Sequence, residues 1–119
     1  MSRKGYATEI QIKRKLIQEY GELNVIKISS GCGLGFDFMI LNDCKVNLGD
    51  KIIQGSTKVL KVIEVKECRG KYPHWGKNQK KNIIRFCKFH NVHCLVYVFR
   101  PHEPLEMTIL KGTEIDFFN

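Results

Sequence analysis

The sequence predicts an α/β fold, a mixed β-sheet with helices packed against it. Three observations carry that prediction. Two segments with helical apolar spacing alternate with β-branched runs in the order α-β-β-β-α-β-β. One run, His93–Phe99, is nearly all apolar, as expected of a strand covered on both faces. At 119 residues, the chain is long enough to bury one core without disulfides or structural zinc, and has no room for a second. A single domain over 1–119 is therefore expected.

The elements follow in order. Residues 5–20 read as a helix, with Ile12, Leu16 and Tyr20 at helical spacing and Gly21 as the stop. Val25 to Ser29 is short and β-prone, and Ser30-Gly31-Cys32-Gly33-Leu34-Gly35 breaks it. Phe36–Leu41 reads as a strand. Between Asp43 and Thr57 lie two turn signals, Leu48-Gly49-Asp50 and Gln54-Gly55-Ser56, with a short β-prone piece between them. The stretch between Asn42 and Thr57 is the place for an extended hairpin protruding from the sheet. Val59–Lys66 is the next strand. A basic loop leads to a helix from about Asn78 to His90, carrying Ile83, Phe86, Cys87 and His90 on one face. After the apolar strand, Pro101 and Pro104 bracket a connection to a last strand at Leu105–Leu110.

Composition narrows the partners. Twenty Lys and Arg against twelve Asp and Glu give a net charge of +8 and a pI near 9.4, a balance that favours a polyanion. The N-terminal Met1-Ser2-Arg3-Lys4-Gly5 is polar and basic. No run approaches the ~18 apolar residues that a membrane span needs, so no membrane partner is expected. Five cysteines, an odd count without a CxxC pair, suit a reducing, intracellular, cytoplasmic setting. The segment Cys87-Lys88-Phe89-His90-Asn91-Val92-His93-Cys94 invites a zinc reading, but its spacing matches no finger pattern. Core cysteines and loop histidines are the expected roles.

The residues with chemistry in them begin at Val62-Ile63-Glu64-Val65-Lys66. A strand alternates its side chains, so Glu64 and Lys66 share one face while Ile63 and Val65 share the other. Such alternation often marks a solvated face. Here the apolar flanks on both faces imply burial, where ionised groups are costly unless they serve a metal or a partner. Asp37 stands at the mouth of the preceding apolar strand. Glu9 shares the helical face of Ile12, Lys13, Leu16 and Tyr20. A glutamate there is either an exposed charge favoured by the helix N-terminus or a third carboxylate of a site. Taken together, Glu9, Asp37, Glu64 and Lys66 suit phosphodiester hydrolysis, in which a metal neutralises phosphate charge and activates a water. A hard cation, Mg²⁺ with Mn²⁺ as the substitute, prefers such oxygen ligands. Asp37 and Glu64 would be direct ligands and the Val65 carbonyl a third. Glu9 would bind a second ion or hold a metal-bound water. Lys66 would orient the attacking water or stabilise charge developing on the phosphate.

An Asp followed by Glu-x-Lys on the next strand resembles the PD-(D/E)xK nuclease superfamily, the restriction-endonuclease-like fold, with Phe36 where proline is usual. Within it the chain most resembles the archaeal Holliday junction resolvases, on a helix opening Gly5-Tyr6-Ala7-Thr8-Glu9 and a strand ending Ile28-Ser29-Ser30-Gly31. Beyond Glu-Val-Lys, the resemblance continues in a helix carrying Gln79 and Phe86 and a strand ending Val96-Tyr97-Val98-Phe99-Arg100. It spans roughly residues 5–101. It implies a metal-dependent DNA endonuclease, catalytic roles for Glu9, Asp37, Glu64 and Lys66, and a serine near the scissile phosphate, Ser30 in preference to Ser29. Turn chemistry in the Ser/Gly loop accounts for Ser30 equally well. The 27 residues from Asp37 to Glu64 imply an insertion, and the glycine loop is short for the family.

From Arg69 to Lys88 there are seven basic residues and no acidic one. One-sided charge favours phosphate contacts over a solvated face, which would mix signs. Arg69, Lys71, Lys77, Lys80, Lys81 and Arg85 are the candidates, with Arg3 and Lys4 on the N-terminal arm. Tyr72 and Trp75 would either stack on unpaired bases or cap the core. Cutting two symmetric strands of a four-way junction implies a homodimer, with Leu105–Leu110 and Ile115–Phe118 as candidate contacts. A nuclease acting on flaps, mismatches or duplex DNA, in repair or defence, keeps the same chemistry. A non-catalytic nucleic-acid-binding protein would require the four site residues to be fortuitous.

Overall fold

The computed structural model describes residues 6–29, 33–49 and 51–113. The elements are α1 (Tyr6–Tyr20), β1 (Val25–Lys27), β2 (Phe38–Leu48), β3 (Lys51–Glu67), α2 (Gln79–His90), β4 (His93–Phe99) and β5 (Glu106–Ile109), with a 3₁₀ turn at Glu22–Asn24. Their order matches that expected from periodicity. The strands form one mixed sheet in the order β1-β2-β3-β4-β5. Only β3 and β4 pair in parallel, because α2 carries the chain back across the sheet between them; the other neighbours are antiparallel.

The sheet has a core on each face, one helix contributing to each. On one side Ile83 and Cys87 of α2 pack with Val62, Cys94, Val96 and Val98. On the other, Ile12 and Leu16 of α1 pack with Phe38, Ile40, Ile63, Val65 and Tyr97. Strand β4 therefore alternates between two cores, which is why its sequence is nearly all apolar. Fully burying each aliphatic side chain contributes roughly 1.5–3 kcal/mol. Burial also pushes the Cys87 thiol up to about 11 and the phenol of Tyr97 upward, so both stay protonated at neutral pH.

Two expectations are corrected. Gln54-Gly55-Ser56 is not a turn: Gly55 pairs with Cys44 and Ser56 with Asp43 inside a continuous β3. Once the chain reverses next to Gly49, whose φ of 72° suits glycine, the ladder to β2 satisfies the backbone of 51–57 and overrides the local turn signal. Register shifts between Ile40 and Leu41 and between Asn42 and Asp43 take up the irregularity. The hairpin expected between Asn42 and Thr57 is present, as extensions of β2 and β3 themselves. The strand expected at Phe36–Leu41 begins instead at Phe38 and continues to Leu48, leaving Asp37 just before its first residue. Among the described residues no helix is long and apolar enough to cross a membrane.

Candidate active site

Strand β3 presents Glu64 and Lys66 to the α2 side of the sheet, as period-two alternation requires, while Ile63 and Val65 fill the α1-side core. Glu64 is 2% exposed. A carboxylate so deeply buried needs compensation, and Lys66 supplies it: the Nζ lies 3.3 Å from the Glu64 Oε2, and the lysine side chain is itself only 13% exposed.

Gln79, the first residue of α2, holds this pair. Its Nε2 donates to the Glu64 carboxylate and to the Gly35 carbonyl oxygen, the latter at 2.8 Å. Its Oε1 accepts from Lys66 Nζ at 2.8 Å and from the Gly76 N–H at 2.9 Å. One amide thereby joins β3, the glycine loop and the lead-in to α2. Gly35 makes the approach possible: at φ 89° it adopts a conformation that side chains rarely tolerate, and a Cβ there would lie 3.3 Å from the Gln79 carbonyl oxygen and from Ile83.

Asp37 is fixed on both sides of Glu64. Its backbone N–H donates to the Ile63 carbonyl oxygen at 2.9 Å, and its Oδ2 accepts from the Val65 N–H at 2.8 Å. The Asp37 carboxylate is thus tied to the strand segment that carries Glu64. Glu9 comes from the opposite face. Its carboxylate lies 3.4 Å from Lys27 Nζ, which lies 3.7 Å from Asp37 Oδ1, so Lys27 sits between the two acids. Thr8 donates a hydrogen bond to Glu67, fastening the start of α1 to the end of β3 beside this cluster.

The structure therefore brings Asp37, Val65, Glu64 and Lys66 together on adjoining segments and links Glu9 to them through Lys27. Among the described residues, no three His, Cys, Asp or Glu side chains converge as a cluster able to hold a metal ion. The negative potential of Glu64 and Asp37 still reaches the core: the Cys94 thiol is pushed upward by burial first, then by Cys87, Glu64 and Asp37. Cys87 and Cys94 belong to the α2-side core. Ser30, Arg3, Lys4 and Ile115–Phe118 lie outside the described residues; Ser29 is exposed at the edge of that loop.

Three residues near this chemistry were not among the sequence candidates for catalysis: Lys27, Gln79 and Trp75. Gln79 carried a signal, as the glutamine on which the resemblance of this helix rests. Lys27 had none, since its role depends on which strand pairs with which. Trp75, half-buried against the α2-side core, has the Lys66 ammonium 4.5 Å and the Lys80 ammonium 5.3 Å from its ring centroid. Of the two readings of this tryptophan, core contact is the one observed. Tyr72 is 76% exposed, with Lys71 over its ring.

The basic candidates Arg69, Lys71, Lys77, Lys80, Lys81 and Arg85 are all exposed. Arg100, at the end of β4, pairs with Glu106 and donates to the Lys71 carbonyl oxygen at 2.9 Å, pinning the basic loop to the sheet. Within α2, Lys81 and Arg85 are four residues apart, the spacing of neighbours on a helix surface. Neutralising Lys80, Lys81 and Arg85 together is expected to flatten the salt dependence of DNA affinity by about one log–log unit per lost phosphate contact, read from binding isotherms at several salt concentrations. An unchanged slope would place these residues away from the DNA.

No family model and no curated protein matches the chain. Among solved structures it is similar to Hjc from Archaeoglobus fulgidus, a Holliday junction resolvase from an archaeal hyperthermophile. The TM-score is 0.51 at 13% identity, over 85% of this chain and 75% of that one. The fold is α/β and similar to that of Hjc, a mixed five-stranded sheet with two helices. At that identity the likeness speaks for the architecture of the sheet and its helices.

Proposed function

We propose that this chain is a metal-dependent, structure-specific DNA endonuclease that resolves four-way junctions. The observation that carries the reading is the locking of Asp37 to both residues flanking Glu64, with Lys66 paired beside it, on a Hjc-like sheet. The donor set fits a hard divalent cation. Two carboxylates and a backbone carbonyl offer only oxygen, and Mg²⁺ is commonly held by one or two carboxylates with waters and substrate phosphate completing its shell. Asp37, Glu64 and the Val65 carbonyl would hold it, and when bound it would neutralise phosphate charge and acidify a water.

The protein's own groups do the rest. Lys66, held by Glu64 and Gln79, would supply a fixed positive charge to orient the attacking water or to balance charge on the phosphate. Glu9, with Lys27 between it and Asp37, supports the outer side of the site, where a second ion or a water would be held. Ser30 would approach the scissile phosphate. The exposed lysines and arginines from Arg69 to Arg85, with Arg3 and Lys4, would grip the DNA backbone without reading bases. A homodimer would set two such sites about a two-fold axis matching the junction. The exposed apolar residues Leu105, Met107 and Ile109 around β5 offer it a contact surface. With Cys68, Cys87 and Cys94 free, an intracellular, reducing setting suits the chain.

The test is incubation with Mg²⁺ and labelled four-way, flap and linear duplex DNAs, each with an EDTA control, alongside competition binding and sizing of the protein. Paired cuts on opposing strands of the four-way substrate by a dimer are expected. Cleavage of flaps in preference to junctions, equal affinity for junction and linear duplex, or a strictly monomeric protein would overturn the junction assignment and leave the hydrolytic chemistry standing. No cleavage of any substrate would overturn both.

A further inference from the structure

Lysine is a flexible four-carbon stem, and an ammonium that must face one phosphate oxygen has to be held there. In this site Glu64 is asked to do two things, to ligate a cation and to balance Lys66. Once its charge is shared with a cation, its pull on Lys66 weakens. The ammonium is also touched by the Gln79 Oε1 at 2.8 Å and by the indole face of Trp75, 4.5 Å from Nζ to the ring centroid. An indole face attracts a cation and keeps water off it, and the attraction does not depend on the charge state of Glu64. Trp75 is itself anchored by packing against the core between α2 and the sheet. Lys80, among the candidate phosphate contacts, lies over the same ring at 5.3 Å.

We infer that Trp75 is a positioning residue for the reaction. Its indole clamps the Lys66 ammonium in place while Glu64 serves a metal ion, and seats Lys80 beside it so that the catalytic and phosphate-gripping lysines share one platform. The inference rests on the nuclease reading for its consequence in cleavage, and on geometry alone for the clamp.

Two readouts separate these. In the metal-free protein, NMR of Lys66 should show its ε-methylene protons shifted upfield by the indole ring current. The shift should be lost in Trp75→Leu and partly kept in Trp75→Phe, each variant first checked for a native melting profile. In single-turnover cleavage at saturating Mg²⁺ and junction DNA, Trp75→Leu should be slower by about ten-fold, and Trp75→Phe should recover most of the rate. Because Trp75 is the chain's only tryptophan, its emission should also change in Lys66→Met. An ordinary Lys66 resonance in the wild-type protein overturns the clamp whatever the cleavage assays show. A wild-type cleavage rate in Trp75→Leu overturns its role in the reaction. An upfield Lys66 in a protein that cuts no DNA supports the clamp and overturns the nuclease reading.

Discussion

Glu64→Gln protein should bind four-way DNA with near-normal affinity and fail to cut it, with a loss on the order of a thousand-fold or more in single-turnover rate. The substitution keeps the shape of the side chain and removes the charge that a divalent cation needs. It also leaves Lys66 facing a neutral amide at the position now 3.3 Å from a carboxylate. Asp37→Asn should behave alike, since its Oδ2 bond to the Val65 N–H can be kept by the amide oxygen while the ligand charge is lost. Neither change touches the exposed basic surface, so binding persists, and the lost negative charge next to a polyanion favours somewhat tighter binding. Single-turnover cleavage and gel-shift titration on the same preparation decide the matter. An active Glu64→Gln protein, free of wild-type contamination, would refute the metal-ligand role.

The second large effect is expected at Gln79. Its side chain satisfies four groups at once: the Glu64 carboxylate, the Lys66 ammonium, the Gly35 carbonyl and the Gly76 N–H. Gln79→Ala removes all four of these hydrogen bonds and leaves their partners beside a carboxylate that is almost fully buried. Breaking such a network costs roughly 3–5 kcal/mol in folding stability, because the groups left behind stay desolvated. A urea melt should show the midpoint falling sharply with the slope unchanged. Cleavage measured well below that midpoint should fall about a hundred-fold, as expected when the groups that orient ligands and charged side chains are removed. Gln79→Glu should not rescue either quantity, since it sets a second carboxylate against Glu64. A Gln79→Ala protein with a wild-type melt would mean that water replaces the amide and that the glycine loop does not depend on it.

The sequence by itself determined the order of helices and strands and which faces α1, β3 and β4 bury. The period of Ile12 and Leu16 fixes the inner face of α1, the nearly unbroken apolar run of β4 declares two covered faces, and the alternation in β3 puts Glu64 with Lys66. These are properties of a few neighbouring residues, so they can be read locally. The turn signal at Gly55 failed because a ladder formed with residues far along the chain, and pairing with Cys44 outweighed local preference. The same non-locality hid the rest of the site. Lys27 becomes the cation between Glu9 and Asp37 only when β1 pairs with β2 and α1 crosses beneath them. Gln79 and Trp75 reach Glu64 and Lys66 only because α2 returns across the sheet to let β4 pair parallel to β3. The chain's periodicity decides where each charge starts; the closing of the sheet and its helices decides which charges meet, since burial makes each of them costly until it finds a partner.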